Sequence, residues 1–113
     1  MFEYLELPER LTVYIAANTA AERQNWVEHF THVLGAATCI TCVGTWEGIV
    51  EPVVKVEHFC VNANKAFCDI VFSLVNYKNI CTQEAVSVQF NSTLVVFSTV
   101  KSLFNYADKV RPE

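Results

Sequence analysis

The chain has 113 residues, 52% of them hydrophobic, and a formal net charge of −4 at neutral pH. This size suits a single domain, 1–113, around one core, and the acidic balance lacks the basic surface of a nucleic-acid-binding protein. No apolar run reaches the roughly 18–20 residues of a membrane span and the acidic N-terminus is unlike a signal peptide, so we expect a cytoplasmic protein with no nucleic-acid or membrane partner.

The first predicted elements are a strand and an amphipathic helix. Residues 11–17 alternate large apolar side chains with smaller or polar ones, which is the period-two pattern of a strand. Thr19 and Glu22 form a capping box, in which the hydroxyl accepts a hydrogen bond from a free helix N–H and the carboxylate reaches back. The apolar residues that follow share one helical stripe, and Gly35 predicts the end of the helix.

Two strands joined by a tight turn are predicted next. Residues 38–46 are β-branched and aromatic, as strands prefer. Glu47 and Gly48 mark the turn that follows them. A further strand is predicted over 53–61, directly after Pro52, because a strand tolerates proline at its start.

The second half of the chain predicts one helix and two more strands. Apolar residues within 62–79 fall on one helical stripe, and an asparagine at the start can cap the helix. Strands are predicted over 85–90 and 94–100, with a turn at Asn91 between them. The tail at 101–113 predicts a short helix that frays.

The resulting order is βαββαβ followed by one more strand. It indicates the α+β class and a ferredoxin-like sandwich, in which two helices cover one face of an antiparallel sheet and an extra strand lies at the C-terminal end. The core is expected over about 11–100. The other face of the sheet also carries apolar residues, and we expect another subunit to cover it.

Five cysteines is an odd number, so at least one stays unpaired, and free thiols are the norm in a cytosolic protein. Cys39 and Cys42 have the CxxC spacing, but the motif lies in a predicted strand, where residues three apart point to opposite faces. We therefore interpret them as core residues and not as a redox pair. His58 and Cys60 could face one side of a strand, but a second pair of ligands is missing, so no metal site is predicted.

Two histidines on the first helix are a weaker candidate for chemistry. His29 and His32 lie three apart, but no acid or nucleophile accompanies them at a catalytic spacing. A solvated helix face is the simpler interpretation. The sequence also contains no glycine-rich phosphate loop and no nucleophile elbow.

The least ordinary stretch is the connection at 44–52, which carries Trp46, Glu47 and Glu51 between two glycines and a proline. One interpretation is a hairpin whose tryptophan packs on the core and whose acids are solvated. The other is a cation site, since an aromatic face and carboxylates attract a sulfonium or ammonium group. Glu84, just before the fourth strand, is either a polar turn residue or a carboxylate that accepts hydrogen bonds from a ribose.

Four short segments resemble the phage S-adenosylmethionine (SAM) lyases, which are SAM-degrading enzymes formerly called hydrolases. They are VYIAA at 13–17, GTW at 44–46, EPVVKV at 51–56 and QEAV at 83–86. The resemblance implies a sandwich akin to the PII (GlnB) proteins, assembled as a homotrimer with active sites at subunit interfaces. This chain departs from some members in having a shorter connection between the second and third strands and Trp46 in place of tyrosine.

The resemblance also implies a reaction. The carboxylate of the substrate, SAM, would attack its own γ-carbon and expel 5′-methylthioadenosine, leaving L-homoserine lactone. Because the substrate supplies the nucleophile, orientation matters more than acid–base groups, and no cofactor or metal is expected. We expect Glu51 to be the catalytic residue, which orients the methionyl moiety. The expected substrate-binding residues are Trp46, which walls the sulfonium, Glu47, and Glu84, which holds the nucleoside.

Two other functions remain open from the sequence. One is a PII-like module that binds a small molecule or nucleotide without catalysis. The other is a small phage-type interaction protein that oligomerises through its sheet. Turnover of SAM distinguishes the enzyme, whereas a binding module would gain thermal stability from its ligand and leave it intact.

Overall fold

A computed structural model describes residues 3–83 and 85–110, apart from the side chain of Trp46. The described residues form five strands, three α-helices and one 3₁₀ helix. In chain order they are β1 Glu9–Ala16, α1 Ala20–Leu34, β2 Thr38–Trp46, β3 Ile49–Cys60, α2 Ala63–Val75, the 3₁₀ helix Lys78–Thr82, β4 Val86–Phe90, β5 Thr93–Phe97 and α3 Val100–Val110.

The five strands form one sheet in the order β2-β3-β1-β4-β5, and all neighbouring strands are antiparallel. The first four strands have the ferredoxin-like arrangement, and β5 is added outside β4. The predicted fold class is therefore confirmed. None of the helices in the described parts of the chain is both long and apolar enough to cross a lipid bilayer.

Alternation along β1 separates the two faces of the sheet. Leu11, Val13 and Ile15 are 0–1% exposed and point to the face that the helices cover. Trp26 and Phe30 of α1 are equally buried there, and α2 and α3 contribute further apolar side chains to the same cluster. Burying one such side chain contributes about 1.5–3 kcal/mol, so this face holds the fold together.

The predicted ends of α1 are confirmed. The Thr19 hydroxyl accepts a hydrogen bond from the Glu22 N–H at 3.1 Å, and the Glu22 carboxylate accepts one from the Asn18 N–H at 3.2 Å. Gly35 follows the helix with φ = 80° and donates its N–H to the Thr31 carbonyl. A positive φ at this position explains why the helix ends on a glycine.

The third strand begins earlier than predicted. β3 starts at Ile49 and includes Pro52, because Glu47 and Gly48 form a two-residue hairpin turn with φ values of 51° and 80°. Pro52 lies in an inner strand but faces the end of β1, where its carbonyl accepts from the Ala17 N–H at 3.0 Å. Its missing N–H therefore falls at the end of the β1–β3 ladder and interrupts few bonds.

Over residues 101–110 the C-terminal segment is a helix and not the fraying tail predicted for 101–113, whose last three residues lie outside the described part of the chain. β5 ends at Phe97, and α3 runs from Val100 to Val110 with Leu103 and Ala107 buried in the core. The Thr99 hydroxyl accepts a hydrogen bond from the Ser102 N–H at 3.0 Å, which caps the helix. The sheet is thus covered by three helices and not by two.

The uncovered face of the sheet, called the open face below, is less apolar than predicted. Its centre carries Tyr14 on β1 and Lys55 on β3, and Lys55 forms an ion pair with Glu57 at 3.0 Å. Exposed apolar side chains lie toward the two edges of this face, at Ile40, Leu94 and Val96. The face therefore combines a polar centre with apolar margins.

Candidate functional site

A cleft of about 400 Å³ opens on the open face, at the end of the sheet where β1 leads into α1. Its volume lies in the range of small-molecule sites. The floor comes from residues of all five strands, and the walls come from the β1–α1 connection and from the segment before β4. The lining includes Tyr14, Ala16, Asn18, Glu22, Gly44, Glu51, Val53, Thr82, Gln83, Ala85, Ser87, Gln89 and Leu94.

Glu51 is the predicted site residue that the structure places in this cleft. It lies inside β3, opposite Gly44 of β2, and not just before the sheet as predicted. Its side chain is partly buried and lines the cleft. No ion pair or hydrogen bond within the described residues engages its carboxylate, so its charge is available to a ligand.

Gly44 leaves the space that the floor of the cleft needs. A Cβ atom at this position would lie 2.6 Å from Cγ2 of Val53, which is closer than real Cβ contacts. Because Gly44 has no side chain, the side chain of Val53 fits against β2 next to Glu51. The glycine that the sequence analysis noted for its place in a motif thus has a packing role.

The cleft is anionic. Glu22, at the start of α1, contributes a second carboxylate to the lining, and no lysine, arginine or histidine is found among the lining residues that the structure describes. Lys55, on the same face, is already paired with Glu57. Two carboxylates in a partly enclosed space favour a ligand with a positive charge.

Gln83 builds the wall next to β4. It is 7% exposed, and its side-chain amide bonds to the backbone of Ala16 in both directions. Its Nε2 donates to the Ala16 carbonyl at 2.8 Å, and its Oε1 accepts from the Ala16 N–H at 3.1 Å. This link joins residues 67 positions apart in the sequence.

Of the other three predicted site residues, one lies away from the cleft and two are not fully described by the structure. Glu47 is exposed at the tip of the β2–β3 hairpin and is not part of the cleft lining. Trp46 ends β2, but its side chain is outside the described atoms. Glu84 lies outside the described residues, and its neighbours Gln83 and Ala85 both line the cleft.

Tyr14 and Gln83 are lining residues that the sequence analysis did not single out. Tyr14 belongs to the first of the segments that resemble the SAM lyases. It alternates with the apolar residues of β1, and this alternation indicated that its side chain lies on the open face. Gln83 belongs to the last matching segment. Its link to Ala16 has no local signature, because it depends on how distant strands align.

The two cysteines of the CxxC spacing lie in β2 on opposite faces of the sheet as predicted, but Cys42 is not a core residue, since it lies opposite Val53 on the open face. Cys39 packs against the core, and burial raises the pKa of its thiol. A raised pKa disfavours the thiolate that redox and metal chemistry use. All five cysteines are free thiols, and the described residues contain no group of three or more potential metal ligands.

The solvated face predicted for His29 is wrong. His29 stacks on Tyr77 with ring centroids 4.2 Å apart, and its Nε2 lies 3.2 Å from the Ser73 hydroxyl. Burial, with a smaller effect from His32, lowers the pKa of His29. This histidine is part of the contact between α1 and α2, whereas His32 is exposed.

No protein-family model and no curated protein sequence matches this chain. Among solved structures, a phage SAM lyase in complex with S-methyl-5′-thioadenosine superposes with a TM-score of 0.63 at 11% identity, over 88% of this chain and 96% of that chain. A phage SAM lyase in the apo state gives the same TM-score and coverage at 12% identity. At this identity the likeness concerns the fold.

Proposed function

We propose that this chain is a SAM lyase, which converts SAM into 5′-methylthioadenosine and L-homoserine lactone. The observation that carries the proposal is a partly buried carboxylate, Glu51, that is free of protein partners among the described residues and lines an anionic cleft of small-molecule size. The solved structures with the same fold are phage SAM lyases, one of them with S-methyl-5′-thioadenosine bound. SAM carries a sulfonium and an ammonium group, which such a cleft favours.

The proposed step needs little from the protein beyond orientation. An oxygen of the substrate carboxylate forms a bond to Cγ while the Cγ–S bond breaks, and the electron pair moves to sulfur. The carboxylate and sulfonium charges of the substrate are both neutralised, the ammonium group keeps its charge, and no proton is transferred. Holding the two reacting groups of one molecule together removes much of the entropy barrier, and excluding water favours charge neutralisation.

We assign the roles of the predicted site residues from this chemistry. Glu51 binds the cationic part of the methionyl moiety and holds it in the bent shape that the attack requires. Trp46 walls the sulfonium, and Glu84 accepts hydrogen bonds from the ribose hydroxyls. Glu47 lies away from the cleft of its own subunit, so its substrate-binding role requires the cleft of a neighbouring subunit.

We also propose a homotrimer with active sites at the subunit interfaces. The exposed apolar residues Ile40, Leu94 and Val96 support an association through the margins of the open face. The cleft opens on this same face, and Leu94 belongs to its lining. A neighbouring subunit would therefore enclose the cleft and reduce the access of water.

Incubation with SAM, followed by chromatography, tests the enzyme against the binding module. The proposal predicts that SAM disappears and 5′-methylthioadenosine appears in equal amounts, faster than in a protein-free sample. A protein that gains thermal stability from 5′-methylthioadenosine but leaves SAM intact would be the PII-like binding module. A protein that does neither would be an interaction protein.

A further inference from the structure

We infer that Gln83 is a positioning residue, whose side-chain amide takes the place of a strand backbone and thereby holds the cleft open. This inference rests on the proposed function for its ligand. The observation behind it is the two-way link between the Gln83 amide and the backbone of Ala16, at 2.8 and 3.1 Å. A residue in an antiparallel ladder makes the same pair of bonds with its opposite neighbour through its own backbone.

The direction of the backbone groups at the end of β1 shows which neighbour is replaced. Ala17 donates its N–H to Pro52 of β3 at 3.0 Å. Because backbone groups alternate sides along a strand, the N–H and C=O of Ala16 point the other way, toward β4. There they meet the side chain of Gln83 and not the backbone of β4.

The ladder between β1 and β4 stops where this link begins. Its pairs run from Leu11 with Phe90 to Tyr14 with Ser87. Continuing this register would bring Ala85 opposite Ala16, with the backbones about 4.8 Å apart, and would close the gap between them. The side chain of Gln83 instead holds the segment before β4 away from β1 by its own length.

The space opened in this way is the cleft. Ala16 lies on one side of the gap, Thr82 and Ala85 lie on the other, and all three are lining residues. Gln83 itself is 7% exposed, so both of its bonds are largely shielded from water. A primary amide combines a donor and an acceptor at the end of one side chain, which is what the N–H and C=O of one residue require.

The wall that Gln83 holds carries Thr82 and Ala85, on the side of the cleft to which we assign the nucleoside. Loss of the link therefore affects the binding of SAM and of 5′-methylthioadenosine alike. The carboxylate of Glu51 lies on a different strand, β3, and is held by its own ladder with β2. The reacting end of the substrate is thus positioned independently of Gln83.

The substitution Gln83→Met tests the role, since it keeps the length of the side chain and removes both bonds. We expect the dissociation constant of 5′-methylthioadenosine and the KM for SAM to rise about tenfold, as for the loss of protected hydrogen bonds. We expect kcat to remain within about threefold, since uniform binding is lost and not a contact of the transition state. Exchange of the Ala16 amide proton, measured by NMR, should become faster.

A matched control separates positioning from general stability. Asn62→Ala removes the cap of α2, where the Asn62 side chain accepts from the Lys65 N–H at 3.0 Å, near the start of β1 and away from the cleft. We expect it to lower the melting temperature while KM and the dissociation constant stay within about twofold of the unsubstituted protein. Equal effects of Gln83→Met and Asn62→Ala on KM would overturn the positioning role.

Two further outcomes are decided by the same measurements. If Gln83→Met does not fold, Gln83→Glu keeps the acceptor for the Ala16 N–H and loses the donor; unchanged KM in that variant would overturn the inference. If the unsubstituted protein leaves SAM intact and binds no 5′-methylthioadenosine, the proposed function fails. The link is then judged by Ala16 amide exchange alone, and exchange unchanged by the substitution would refute it.

Discussion

The substitution Glu51→Gln tests the centre of the proposed site, because it keeps the size of the side chain and removes its charge. Glu51 is paired with Gly44 in the β2–β3 ladder, two pairs before its hairpin end, so the backbone that carries it is fixed by the sheet. Its carboxylate has no partner in the described parts of the protein, so the substitution breaks no internal ion pair. We expect the variant to fold and assemble normally.

The expected loss follows from the position of the charge. A carboxylate about 4 Å from a cation in a partly buried site, at an effective dielectric constant of about 20, interacts by up to about 4 kcal/mol. Solvent in an open cleft reduces this, and a hydrogen bond to a charged group contributes about 1.5–3 kcal/mol. We therefore expect kcat/KM for SAM to fall roughly 10–150-fold.

Steady-state turnover and product binding are the assays. 5′-Methylthioadenosine lacks the methionyl group and the positive charge, so its dissociation constant should change by less than about threefold. Glu28→Gln is the control, since Glu28 is exposed on α1, lies outside the cleft lining and forms no ion pair among the described residues. Near-normal turnover by Glu51→Gln, or an equal loss in both variants, would refute the role assigned to Glu51.

Four further predictions follow from the same structure. Gly44→Ala should lower the free energy of unfolding by about 1–3 kcal/mol and reduce turnover, because the new Cβ meets Val53; a chemical denaturation curve that matches the unsubstituted protein would contradict this. Burial lowers the pKa of His29, so the folded protein binds fewer protons than the unfolded chain near this pH. Stability should therefore decrease as pH falls below about 6.5. The melting temperature should depend less on pH in His29→Gln, and an equal dependence would show that His29 is not the cause. A chelator, or the double substitution Cys39→Ser and Cys42→Ser in protein that remains folded, should leave turnover intact, and loss of activity would reveal a thiol or metal role. Sedimentation at micromolar concentration should show a trimer, and a stable monomer would contradict the proposed assembly.

Much of the fold could be predicted because each early element carries its own local signal. The alternation in β1, the capping box at Thr19 and the stop at Gly35 all lie within a few residues of the features that they determine. The hairpin turn at Glu47 and Gly48 was likewise predicted, and both residues have the positive φ that such a turn requires. These elements set the order of the strands and thus the ferredoxin-like sheet.

The errors have a common physical cause, which is tertiary context. Pro52 indicated a strand that starts at 53, but the end of β1 beside it lets the strand begin four residues earlier, at Ile49. α3 was predicted as a fraying tail, because it has few apolar positions. The helix is stabilised by the packing of Leu103 on distant parts of the core, which has no local signal. His29 is half-buried only because Tyr77 from after α2 stacks on it.

The same distinction applies to the cleft. Glu51 could be proposed from its neighbours in the sequence, and the structure places it among the lining residues. Gln83 could not be assigned a role, because its partner Ala16 is 67 residues away. Glu47 was grouped with Glu51 by closeness in sequence, but the hairpin turn carries it to the tip, away from the cleft of its own chain.

The most direct test of the proposed reaction is product identification after incubation with SAM in ¹⁸O-labelled water, against a protein-free sample. Intramolecular attack predicts 5′-methylthioadenosine and an equal amount of homoserine lactone without label at early times. Later opening of the lactone by water at its carbonyl places the label in the carboxyl group of homoserine. Homoserine formed at once with the label in its hydroxyl group would show attack by water at Cγ, and SAM that remains intact would show that the chain is not a SAM lyase.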